Sequence, residues 1–335
     1  MKTLKDNLSR ILALTGAALL CTALSAGAAA DDLAVLPAQL DGAAPGLMME
    51  AYLQKQAFAA LDRREAAFEK LQTGEQLRAW QQDRREVFLS ALGGFPERTP
   101  LNARTTGQMM FADYRLEKII FESQPEPGIW LPALRFEPET AARSGDPVLY
   151  LHGEGKQADA GPGGPIETLA LAGRTVLAVD LRGLGETSRP VGRDVMGAIL
   201  GFNTRDTNLA HLMGKSFVAM RAEDVLACAR YLVGSPAGAN RPARVAVVAR
   251  GEPGVPALHA AALEPQLFSS LELQRALASW VDVVRAPVSR NQKVNAVFGA
   301  LRAYDLTDLV ASLPQEKTAI REPLDATGQP TKPGR

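Results

Sequence analysis

Histidine and cysteine are scarce in this sequence, and their scarcity limits its chemistry first. His152, His211 and His259 are the only histidines, and Cys21 and Cys228 the only cysteines, among 335 residues. No His-x-x-x-His and no Cys-x-x-Cys occurs, so no metal is expected. An excess of one charge is missing as well: lysine plus arginine equals aspartate plus glutamate at 37 each. Without a basic surplus there is no electrostatic case for a nucleic-acid partner. No glycine-rich phosphate loop is complete either. Gly251-Glu-Pro-Gly254 lacks the Lys-Ser/Thr ending, and Gly214-Lys215-Ser216 lacks the glycine-rich lead. No cofactor is expected.

An apolar run long enough for a membrane is also lacking. The longest, Ile11–Leu24, is interrupted by Thr15 and Gly16 and falls short of the roughly 20 residues that a span needs. Lys2, Lys5 and Arg10 precede it, and the small residues Ala26–Ala30 follow it. That order is the pattern of a secretory signal peptide over 1–30, with periplasmic or extracellular export and no membrane contact after cleavage. Cys21 would leave with the signal, so no disulfide could form within the remaining chain. Cys228, in the apolar pattern Val225, Leu226, Ala229, Leu232, reads as a buried small hydrophobe.

The remaining residues divide into a flexible lead and N-terminal helices over 31–95 and one large domain over 96–335. Helical spacing recurs through Ala57, Leu61, Phe68 and Leu71 and again through Leu77, Trp80, Phe88 and Leu92, with Thr73-Gly74 between. An antiparallel pair at a sheet edge is expected over 114–121 and 128–136, where Pro132 is tolerated. Short apolar strands then alternate with helices, the signature of a mostly parallel sheet with helices on both faces. The strands are Val148–Leu151, Val176–Val179, Val245–Val248, Leu271–Leu277 and Lys317–Arg321. The helices are expected near 164–172, 219–233, 255–263 and 291–301.

Three strand-to-helix junctions carry the functional signal, because ligands in open α/β sheets bind beyond the carboxyl ends of the strands. The first is His152-Gly153-Glu154-Gly155, whose glycines would let backbone N–H groups approach a ligand oxygen. The same residues also fit a plain tight turn. The second, Asp180-Leu-Arg182-Gly183-Leu-Gly185, reads as a structural loop tied by Asp180 and Arg182 and bent at its glycines. The third is Ala249-Arg-Gly251-Glu252-Pro-Gly254, a sharp turn from strand into helix, where a G-x-S-x-G nucleophile elbow belongs.

This ordered set resembles the α/β-hydrolase superfamily, and within it the acetyl xylan esterase and cephalosporin-C deacetylase group of secreted bacterial hydrolases. The resemblance runs from about residue 80 to 330. It includes Phe95–Leu101, Phe121–Pro125, Tyr150–Gly153, Asp180–Gly185, Tyr304–Leu309 and Pro323–Pro330. It implies an ester hydrolase using Ser, Asp and His in that chain order, with a cap segment over 189–218. The sequence departs from that pattern at two of the three positions. One alignment puts Gly251 at the nucleophile position and another puts Glu252 there, and neither is a serine. Asp325 falls where the resemblance places the acid, and it equally suits a turn before Gly328. No histidine follows it. His152 belongs to the oxyanion-type loop, His259 reads as packing, and His211 in the cap is the remaining candidate for the pocket.

The resulting expectation is an exported relative of carbohydrate esterases with a degenerate triad and no serine-hydrolase activity. Its cleft would bind a small molecule, carbohydrate or protein. The competing expectation is an active ester hydrolase of unusual mechanism, using Glu252 as a carboxylate nucleophile or Glu154, Glu252 and Asp325 to activate water. A third keeps the esterase label by letting a partner or a missing C-terminal piece supply the histidine, which still leaves no serine. Oligomeric state is not legible in the sequence.

Overall fold

A computed structural model describes residues 35–40, 42–94, 101–124, 128–139, 144–189, 204–234 and 244–331. The segment expected to be a signal peptide and residues 190–203 of the expected cap lie outside the described residues. The chain forms two compact units, residues 1–56 and 57–335. In the first, Pro45 opens a 3-10 turn over Pro45–Leu47 that leads into helix α1 (Met48–Phe68), which continues into the second unit. Among the described residues, no helix is long and apolar enough to cross a membrane.

Helix α2 (Gly74–Ala91) begins at a capping box. The Thr73 hydroxyl accepts from Gln76 N, and the Gln76 side chain accepts from Thr73 N. Beyond α2 the chain enters an eight-stranded sheet of order β1-β2-β3-β5-β4-β6-β7-β8. The strands are β1 (Arg104–Met110), β2 (Tyr114–Gln124), β3 (Ile129–Pro138), β4 (Val148–His152), β5 (Val176–Val179), β6 (Val245–Arg250), β7 (Phe268–Gln274) and β8 (Thr318–Arg321). The first three run antiparallel to their neighbours, and β5, β4, β6, β7 and β8 are parallel.

Alternation along each strand divides the core in two. Leu149, Leu151, Leu177, Val179, Val247 and Ala249 face one side. Against that side pack α2, α5 (Phe217–Gly234), α6 (Gly254–Leu263) and α8 (Leu306–Ala311). Tyr150, Val148, Val176 and Ala178 face the other, with Ile166 and Ala170 of α3 (Pro165–Leu171). Helices therefore flank both faces. Two further helices, α4 (Thr204–Leu212) and α7 (Trp280–Arg285), lie in the connections.

Three local expectations are corrected. The β2–β3 pair is not the sheet edge, because β1 pairs outside β2 and β5 pairs with β3. Pro132 is still tolerated: the β3–β5 register ends at Ala133↔Val179, and the Pro132 carbonyl accepts from Asp180 N at 2.9 Å. The strand expected over 271–277 runs over Phe268–Gln274 and stops where Arg275 takes φ +52°. The helix expected over 291–301 is two 3-10 turns: Lys293–Asn295, which follows left-handed Asn291 (φ +57°), and Ala300–Arg302, which follows left-handed Gly299 (φ +66°).

Candidate active site

Strand β6 ends in a bend at which Gly251 takes φ +74°. Gly251 N donates to Gln274 O at 2.8 Å, fixing the bend to the end of β7. Gly254 then opens α6, and a Cβ there would overlap Ala276. Glycine at 254 is what lets the helix pack close to the chain after β7. At Gly251 an added Cβ would meet nothing within 4 Å, so the left-handed backbone faces open space.

Glu252, the next residue, has both carboxylate oxygens engaged. Oε1 pairs with the Arg221 guanidinium from α5, and Oε2 accepts from Asn291 Nδ2 at 2.7 Å. Arg221 is buried at 3% exposure, so its charge depends on this partner. A carboxylate held in this way is poorly disposed to attack, which weighs against the expectation that Glu252 is a nucleophile.

The His152 loop lies against this bend. Gly153 N donates to Arg250 O at 2.9 Å, and a Cβ at Gly153 would sit 3.3 Å from Glu252 N. Among the described residues, no acceptor reaches Glu252 N. His152 Nδ1 accepts from Glu154 N at 3.0 Å, so its proton sits on Nε2, which lies 3.7 Å from Asp159 Oδ2. Burial chiefly holds the His152 pKa below the ordinary imidazole value. The same Asp159 oxygen accepts from the Tyr150 hydroxyl at 2.7 Å and from Arg250 at 3.4 Å. Glu154 is exposed.

The second loop is structural, but not through the pair its sequence suggests. Asp180 is bound by Lys156, whose N and Nζ donate at 2.6 and 2.9 Å, and by Glu186 N at 2.9 Å. Arg182 instead grips Asp224 of α5, Nε to Oδ2 at 2.8 Å and a terminal nitrogen to Oδ1 at 2.5 Å. Gly183 (φ +76°) and Gly185 (φ +53°) make the bend, and a Cβ at 185 would overlap the Asp180 carboxylate. The two charges therefore serve different neighbours, Asp180 the β4 loop and Arg182 helix α5.

No protein-family model and no curated protein matches the sequence. Among solved structures, a Bacteroides fragilis protein provisionally assigned as an acetyl xylan esterase matches over 74% of this chain and 69% of its own, with TM-score 0.61 and 16% identity. The acetyl xylan esterase 1 of Thermoanaerobacterium sp. JW/SL YS485 matches over 78% of this chain and 95% of its own (TM-score 0.46, 18% identity). That of Paenibacillus sp. R4 matches over 78% and 83% (TM-score 0.45, 15% identity).

The fold is that of the α/β hydrolases. The sequence resemblance implies a serine, an acid and a histidine at the bend after β6; in the structure each candidate residue is held in other contacts. His259 is fully buried on α6: Nδ1 donates to Val255 O at 2.8 Å, and Nε2 accepts from the Tyr304 hydroxyl at 3.1 Å. Burial pushes its pKa down to about 4. His211, on α4, packs edge-on against Phe298 with centroids 4.8 Å apart, and burial followed by nearby Lys293 lowers its pKa. Asp325 is a turn residue: Oδ1 accepts from Thr327 N, Thr327 Oγ1 and Gln329 N at 2.7–2.9 Å. These bonds, led by the Thr327 hydroxyl, lower its pKa. Ser216 Oγ accepts from Ala219 N at 3.0 Å and so caps α5. Cys228 is fully buried, and burial pushes its thiol pKa far up. Among the described residues, no serine, threonine or cysteine hydrogen-bonds any of the three histidines, and no group of three or more His, Cys, Asp or Glu could hold a metal.

Sequence reasoning missed Arg221, Asn291, Lys156 and Asp159. A signal for Arg221 existed: it is a charge on the otherwise apolar face Val218, Ala222, Val225 of α5. Asn291 gave none, since its role depends on a left-handed turn.

Proposed function

We propose that this protein is an exported α/β-hydrolase-fold relative of acetyl xylan esterases that has lost serine-hydrolase chemistry and keeps its cleft for binding a small molecule or carbohydrate. The observation that carries the reading is Gly251 with φ +74° at the end of β6. A nucleophile elbow places its serine on this kind of strained turn, so Gly251, rather than Glu252, stands in the nucleophile position. Glycine offers no side chain to attack an acyl carbon. Glu252 is engaged by Arg221 and Asn291. His152, the histidine nearest the bend in the sheet register, has its Nδ1 lone pair occupied by Glu154 N.

A binding role is supported by the close approach of the loops after β4 and β6. Gly153 beside Glu252 N keeps the approach that an oxyanion hole requires. In serine hydrolases, loss of the nucleophile or base costs on the order of a million-fold in turnover. Carbohydrate is the favoured ligand class on the strength of the resemblance alone.

The test is covalent labelling. A serine-directed fluorophosphonate, analysed by intact mass, is expected to leave the protein unmodified. A stoichiometric adduct on any serine would overturn the reading.

A further inference from the structure

Arg221 is positioned without help from the carboxylate it pairs with. Its Nε donates to Arg182 O at 2.9 Å, and its Cζ lies 5.0 Å from the Phe217 ring centroid. Gly183 leaves it room, since a Cβ there would come within 3.4 Å of a guanidinium nitrogen. These contacts pre-organise a buried cation, and a buried cation requires an anion. Glu252 supplies one from the flexible end of its own side chain, which keeps 15% exposure and hence a route to solvent. Beside it, Asn291 gives its Nδ2 to Glu252 Oε2, while its Oδ1 is buried and meets no donor among the described residues. Flipping the amide would not cure this, because it would set Oδ1 against the carboxylate. An acceptor left over next to a carboxylate-binding cation calls for a donor attached close to a carboxylate.

We infer that Arg221 and the Asn291 amide form a carboxylate-binding site that the Glu252 side chain fills from within, and that the external ligand is a short carboxylate bearing a hydroxyl beside its carboxyl group. Its carboxylate takes the place of the Glu252 carboxylate on Arg221 and Asn291 Nδ2, and its hydroxyl donates to Asn291 Oδ1. Glu252, tethered next to the site, has the advantage of high effective concentration, so an outside ligand binds weakly until Glu252 is removed. Truncation of Glu252 to alanine deletes a CH2–CO2 fragment with the outline of acetate, so the vacated space fits acetate and glycolate. The inference rests on the proposed reading that the bend faces a binding cleft.

The experiment is isothermal titration of wild type, Glu252→Ala and Glu252→Ala/Arg221→Met with sodium glycolate and sodium acetate, against sodium chloride at equal ionic strength. Saturable binding is expected in Glu252→Ala, about tenfold or more tighter than in wild type. It should be lost in the double variant, and glycolate should bind more tightly than acetate. Glu252→Gln, which preserves volume should the alanine variant fail to fold, is expected to bind more tightly than wild type. No binding in either folded single variant, binding that survives Arg221→Met, or wild type equal to Glu252→Ala would overturn the site. Acetate equal to glycolate would overturn the hydroxyl assignment. Ester turnover measured on the same samples separates the two readings: turnover alongside carboxylate binding removes the silent bend and leaves the carboxylate site standing.

Discussion

Gly153 and Glu252 meet where the loops after β4 and β6 converge, with a Cβ at 153 placed only 3.3 Å from the Glu252 backbone nitrogen. The two loops approach closely, and in the proposed reading no side chain there uses that approach for hydrolysis. Adjacent parallel strands enforce that approach, since His152 stands opposite Arg250 in the β4–β6 register.

The Arg221–Glu252 pair should respond asymmetrically to mutation. Glu252→Ala leaves a nearly inaccessible guanidinium without its anion and is expected to cost about 3 kcal/mol or more. Arg221→Met fills the same space with an apolar chain, while Glu252 keeps Asn291 and reaches solvent, so a loss of about 1–2 kcal/mol is expected. Urea unfolding of both variants checks the order, and equal losses would contradict it.

The glycines of the two bends should part company in the same way. Gly251→Ala meets open space and bears only the strain of a left-handed alanine, about 1–2 kcal/mol. Gly185→Ala overlaps the Asp180 carboxylate and loosens the bonds that neutralise buried Lys156, so about 3 kcal/mol or more is expected. Thermal unfolding of the pair distinguishes them.

Acid should weaken the fold through His259. Its folded pKa of about 4 lies below the ordinary 6.5, so the unfolded chain binds the proton more readily between those values. The associated stability is complete above pH 6.5 and drains away as the pH falls toward 4, by roughly 3 kcal/mol in all. Comparing urea midpoints of wild type and His259→Gln across this range checks the sign, because the glutamine variant should lose that part of the slope.

How much of this was legible in advance depended on whether a residue's role was local. Val176–Val179 is wholly apolar and completely buried, and its strand boundaries match the sequence reading. Thr73-Gly74 marks the break between the first two helices, although the cap that Thr73 forms there is seen only in the structure. The bend at Gly251 was placed by the same local grammar of strand, glycine and helix. Arg182 and Asp180 misled because proximity in sequence stood in for proximity in space, whereas Asp224, 42 residues after Arg182, and Lys156, 24 before Asp180, are the real partners. For Asp325 the sequence left an acid and a turn residue level, and the bonds its oxygen accepts within its own turn favour the second.

Asp325 yields a corresponding expectation. Asp325→Asn should loosen the turn, speeding amide exchange at Thr327 and Gln329, and should leave ester turnover where it was. A turnover change without a change in exchange would restore Asp325 to a catalytic role.

In the proposed reading nothing at the end of β6 can attack an ester. Steady-state hydrolysis of p-nitrophenyl acetate by the purified protein, set beside Glu252→Gln and a heat-denatured sample, tests it most directly. All three are expected to match the buffer rate. Turnover by the native protein that Glu252→Gln abolishes would contradict it.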